Sequence, residues 1–163
     1  MKIIKRILLV LLGLLLIAQF IRPSKNISNS KTTNDINEKF ILPQDVATML
    51  RTSCYDCHSN ETHYPWYAEV QPIGWWLNSH IQDAKRHLNF SEFASYSLRR
   101  QYNKLEDIAQ QVNDGLMPLP PYLLIHTDAR LSQEHKERLI MWANATRDSM
   151  MAQYSLDSLE RRK

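Results

Sequence analysis

The sequence predicts an all-α domain behind an N-terminal transmembrane helix, and three observations predict it. The chain has 163 residues and only three glycines. Outside the loops it is rich in Leu, Ala, Gln, Glu, Lys and Arg, which lose little on entering a helix. Apolar positions recur at helical spacing in several separate stretches. The only two cysteines, Cys54 and Cys57, are preceded by a helical pattern and by no alternating strand, so a βαβ context is excluded there.

Met1–Ile21 comes first. Lys2, Lys5 and Arg6 precede Ile7–Ile21, an apolar run interrupted only by Gly13 and Gln19. Fifteen helical residues cover about 22 Å, less than the roughly 30 Å hydrocarbon core of a bilayer. Ile3 and Ile4, with Lys5 and Arg6 reaching back to the interface, extend the run toward a span. Residues 1–22 are therefore expected to be an uncleaved membrane anchor, with a cleaved secretory signal as the alternative. Ala18 has no small residue two positions away, so no good cleavage site follows. Either reading keeps the basic end inside and puts the body outside the cytoplasmic membrane, on the periplasmic side of a bacterial cell.

The charge has the same asymmetry. The formal net charge is +3, but residues 1–25 hold five Lys/Arg and no acid, which leaves 15 basic against 17 acidic side chains downstream. The body carries a net −2 by that count and is not a nucleic-acid binder. Residues 23–39 are rich in Ser, Asn, Thr and Lys without an apolar period, and are expected to be a flexible linker.

The folded domain is expected over residues 40–150. Pro43 suits the first turn of a helix whose Val46, Met49 and Leu50 share a face. That helix leads into Cys54-Tyr55-Asp56-Cys57-His58. A C-x-x-C-H pentapeptide reads as a c-type haem attachment site. Two thiols three positions apart can each form a thioether to a vinyl group of one porphyrin, and the adjacent imidazole is held where it can bind iron as the proximal ligand. Tyr55 and Asp56 read as the variable middle. A redox dithiol, a disulfide or a zinc site are the alternatives for the two cysteines. Zinc lacks a second cysteine pair, although His63 or His80 could contribute.

Ser59–Pro72, with Tyr64-Pro65-Trp66-Tyr67, is expected to be a loop on an apolar surface. It is either a wall of the haem pocket or ordinary core. Ile73–Leu88 reads as a helix with Ile73, Trp76, Leu77, Ile81 and Ala84 on one stripe and His80 at its edge. Asn89 or Ser91 is expected to cap the next helix. Ser97–Asn113 is a further helix, with Leu98, Tyr102, Leu105, Ile108, Ala109 and Val112 inward, closed by Gly115 in the left-handed region. Leu116–Tyr122 holds three prolines in five positions, which forbid a helix and stiffen the loop. Met117, at its head, is a candidate thioether ligand to iron, or else a core filler. Leu131–Met150 is the last helix, with Ser132 as its N-cap and Trp142 inside. Residues 151–163 read as a polar, fraying tail.

Helix, C-x-x-C-H, helices, Met-Pro loop and C-terminal helix is the order of small class I c-type cytochromes. More closely, Cys54–His58, Tyr64-Pro65-Trp66-Tyr67, Trp75-Trp76, His80, Leu88-Asn89-Phe90-Ser91-Glu92 and Met117-Pro118-Leu119 with Tyr122-Leu123-Leu124 resemble the bacterial haem-binding domain family. The resemblance spans about Phe40 to Ala145. It implies a class I cytochrome c-like helical domain around one covalent haem c per chain. The Trp-rich insertion between His58 and the Ser97 helix departs from a simple cytochrome.

Three function classes are open to a single haem. Electron transfer to redox partner proteins needs two protein ligands, here His58 with Met117, or with His80 as the alternative. A gas or redox sensor needs a displaceable distal site. A peroxidase-like enzyme needs an open site and an acid–base residue near the iron, for which His63, His80, His87, His126 and His135 are available.

Overall fold

The computed structural model describes residues 2–28 and 32–160. Residues 29–31 of the expected linker and 161–163 of the expected tail lie outside the described residues. All regular elements among the described residues are helical, and the pairing of Ile27 with Glu61 is an isolated bridge.

Helix α1 (Lys2–Ala18) exposes all its large apolar side chains from Ile3 to Ile17. Among the described residues no helix is long and apolar enough to cross a membrane. The 17 residues of α1 span about 25 Å, short of the roughly 30 Å a spanning helix covers. The expected transmembrane helix is therefore present only as a shorter, exposed apolar helix.

The segment expected to be a flexible linker is held down at both ends. Gln19 donates from Nε2 to the Gln71 carbonyl (3.1 Å) and accepts the Gln71 N–H at Oε1 (2.9 Å). Trp75 Nε1 donates to the Ile21 carbonyl (2.7 Å), and Arg22 and Lys25 both pair with Glu69. Asn26 is buried and donates from Nδ2 to Ser59 O and Thr62 Oγ1, each at 2.9 Å. Farther on, Asp35 caps α2 (Ile36–Lys39), and Ile36 is fully buried in the core. These contacts follow no period that a sequence could reveal.

Helix α3 (Gln44–Ser53) buries Val46, Met49 and Leu50 as expected, and α4 (Tyr55–His58) starts directly after Cys54. A 3₁₀ turn (Trp66–Glu69) precedes α5 (Ile73–His87). The buried face of α5 is Gly74, Leu77 and Ile81. The stripe read from sequence is rotated, and Trp76 stands 47% exposed. Gly74 fixes that rotation, because a Cβ there would collide with the Ala68 carbonyl oxygen.

A second 3₁₀ turn (Phe90–Ser95) is capped by Asn89 and leads to α6 (Leu98–Asn113), capped by Ser97. Gly115 has φ +68°, the left-handed stop expected of it. The proline stretch nevertheless forms one helical turn, α7 (Pro120–Leu123). Its prolines occupy the first positions, where no N–H is needed.

Helix α8 (Gln133–Gln153), capped by Ser132, packs along α6. Leu105 and Leu139 are both fully buried in this core. Leu139→Ala is expected to cost about 2–5 kcal/mol, read as a lower urea midpoint for detergent-solubilised protein. The tail is a further correction: α9 (Leu156–Leu159) folds back, Leu159 is fully buried in the same core, and Arg99 Nη2 donates to the Asp157 carbonyl (2.8 Å).

Candidate functional site

Cys54 sits where α3 hands over to α4. Its N–H donates to Leu50 O (2.9 Å), and its carbonyl accepts the N–H groups of Cys57 (3.2 Å) and His58 (2.9 Å). Residues i, i+3 and i+4 of one helical turn share a face, so both thiols and the imidazole project together. Both cysteines are free thiols. Burial pushes the Cys54 thiol up to about 12 and the Cys57 thiol up to about 11. Such thiols are the opposite of the acidic pair that a thioredoxin-like redox site requires. Among the described residues no group of three or more His, Cys, Asp or Glu is arranged to hold a metal ion.

His58 is oriented by the segment after α5. Its Nδ1 lies 3.0 Å from the Leu88 carbonyl oxygen. A carbonyl can only accept, so Nδ1 carries the proton and Nε2 keeps its lone pair. Burial also pushes the imidazole pKa down and keeps the ring neutral. Phe90 supports the arrangement from below, stacked on Tyr55 (5.2 Å, 5°) and edge-on to His58 (6.3 Å). Asn60 fastens the same shelf: its N–H donates to Ser91 Oγ (3.1 Å) and its Nδ2 to Glu92 Oε1 (2.8 Å), while Asn89 Nδ2 donates to Asn60 Oδ1 (2.8 Å).

The two thiols and His58 open onto a mostly apolar cavity of about 530 Å³, within the size range of cofactor sites. One wall is the α5 face carrying His80 and Ala84, with Leu88 just past its end. Another is the α6 face with Ile108 and Val112, and the Met117–Tyr122 segment closes it. All five residues expected at the site, Cys54, Cys57, His58, Met117 and His80, line this one cavity. His87 joins them, whereas His63, His126 and His135 do not line it. His80 has its Nδ1 on the Trp76 carbonyl of its own helix (2.9 Å) and its ring against Trp76 (4.2 Å). Met117 is held by its backbone, its N–H donating to Gln111 O (3.2 Å).

Reading the sequence missed two pairs of residues. Asp56, set aside as the variable middle of the motif, accepts the Tyr122 hydroxyl at Oδ2 (2.8 Å) and the His63 backbone N–H at Oδ1 (3.1 Å). Tyr55 donates to Asp35 (3.1 Å) and so ties α4 to the cap of α2. No spacing signals either pair, since Asp56 and Tyr122 stand 66 positions apart.

A group the size of a porphyrin fits this donor set: two half-buried thiols on one face, an imidazole with Nδ1 held on a carbonyl, and a mostly apolar chamber with a thioether in its lining. The family model described as the haem-binding domain matches residues 13–145. No curated protein and no solved structure matches the chain.

Proposed function

The chain belongs to the haem-binding domain family, and from that premise we propose that it carries one covalent haem c and transfers electrons outside the cytoplasmic membrane. The observation that carries this reading is the convergence of Cys54, Cys57, His58 and Met117 on one apolar cavity. When bound, the haem supplies one-electron exchange at its iron. Cys54 and Cys57 would hold it through thioethers. His58 would bind iron through Nε2, with Nδ1 fixed on the Leu88 carbonyl. Met117 would supply the distal sulfur. The apolar walls exclude water and, with a soft neutral thioether, favour the reduced state.

His80 and His87 on the same cavity support the second reading, a bis-histidine or displaceable distal site serving as a gas or redox sensor or in peroxidase-like chemistry.

The membrane is the proposed partner of α1. A helix that exposes every leucine and isoleucine needs lipid or protein around it. Past Ala18, where α1 ends, the chain makes three turn bonds, from the N–H groups of Gln19, Phe20 and Ile21 to the carbonyls of Leu16, Ile17 and Ala18. The clamp of Gln19 on Gln71 then ties the domain to its anchor. A redox partner protein would meet the domain on the periplasmic side.

Two measurements on one preparation test this. Membranes washed in high salt are expected to retain the protein, and protein solubilised from them is expected to give a single reversible one-electron wave unaffected by peroxide. Soluble protein beginning near Gln19 would contradict the anchor. A catalytic current with peroxide would replace electron transfer by the enzyme reading.

A further inference from the structure

We propose that Asp56 is a positioning residue for the distal side of the haem: the bond it accepts from Tyr122 latches the Met117–Tyr122 segment to the attachment motif. This rests on His58 and Met117 being the iron ligands. The segment leaves α6 through Gly115, whose positive φ turns the chain. Its first residues make backbone bonds from Leu116 and Met117 to Gln111 O (3.0 and 3.2 Å). Its far end is held by side chains. Tyr122 donates to Asp56 Oδ2 at 2.8 Å. The Tyr122 ring lies flat on His126 (4.2 Å, 9°), and His126 Nε2 is hydrogen-bonded to the hydroxyl of buried Tyr67 (2.8 Å). Asp56 is itself anchored, because its carbonyl accepts from Thr62 Oγ1 (2.6 Å) and its second carboxylate oxygen accepts the His63 backbone N–H (3.1 Å).

The consequence concerns Met117. A thioether is a weak neutral ligand, and its residence at iron depends on where its backbone is held. Asp56 lies between the two cysteines that would fix the haem, so the Tyr122 bond references the distal loop to the haem's own attachment point. A hydroxyl-to-carboxylate bond is charge-assisted and stronger than a neutral one. Its removal shifts a closed-to-open loop equilibrium by roughly tenfold to a hundredfold.

The test is the rate at which the reduced holoprotein binds carbon monoxide, with the far-red sulfur-to-iron charge-transfer band of the oxidised protein as a second readout. Tyr122→Phe keeps the ring stack and removes only the hydroxyl. It is expected to raise the rate by about that factor, weaken the band and lower the potential. Asp56→Ala is expected to do the same, and the double variant no more than either single one, because the two residues act through one bond. His63→Ala, which removes the exposed partner of Asp56, leaves the rate unchanged. If Asp56→Ala does not mature with haem, Tyr122→Phe alone decides. A wild-type rate and an intact band in Tyr122→Phe, alongside fast binding in Met117→Ala, overturn the latch and leave the ligand reading standing. Unchanged binding in Met117→Ala overturns the ligand reading, and the latch with it.

Discussion

Cys54→Ala combined with Cys57→Ala is expected to abolish haem staining of the denatured protein, whereas wild type keeps its stain after boiling in detergent. The size of the effect comes from the kind of bond. A coordinate bond from His58 does not survive unfolding, but a thioether does, so only the thiols can carry haem through a denaturing gel. Both thiols lie on the one helical turn that opens onto the cavity. Replacing both removes every covalent link while leaving α4 and its shelf of Leu88 and Phe90 in place. The protein also loses whatever stability a bound cofactor confers on the native state. The measurement is a haem stain with a matched protein stain, in a host that matures c-type cytochromes. Full staining of the double variant would show that the cysteines are not the attachment point.

Met117→Ala is expected to open the reduced iron to carbon monoxide and lower the reduction potential, while His80→Ala changes neither. A thioether favours ferrous iron, so its loss lowers the potential. His80 lines the same cavity, but its Nδ1 is bonded back to the Trp76 carbonyl and its ring lies against Trp76. That ring is held along its own helix. Met117, by contrast, lines the chamber with an unbranched side chain of three rotatable bonds. Paired voltammetry and carbon monoxide spectra of the two variants check this. The opposite pattern, with His80→Ala opening the iron, would make the haem bis-histidine.

Local signals in the sequence carried much of the architecture. The stripes at Val46, Met49 and Leu50, at Tyr102 to Val112, and at Leu139 to Met150 face inward as their periods require. Ser97, Ser132, Asn89 and Gly115 act at the ends where their chemistry suits them. Cys54, Cys57 and His58 were legible because one helical turn dictates their common face, and Met117 because prolines come after it. Nonlocal contacts stayed hidden. Asn26 and Ile36 pin a segment whose composition reads as a linker, and Leu159 returns a polar tail to the core. The rotation of α5, which leaves Trp76 outside, comes from Gly74 meeting the Ala68 carbonyl. Asp56 could not be recognised from its own neighbours, since its partner Tyr122 comes from the far side of α6.

The most direct measurement is the absorption spectrum of the purified wild-type protein, oxidised and reduced, with and without carbon monoxide. The account predicts a c-type reduced spectrum that carbon monoxide leaves unchanged over a period in which Met117→Ala converts fully. A colourless protein from a competent host would contradict covalent haem, and immediate conversion of wild type by carbon monoxide would contradict a distal ligand from the chain.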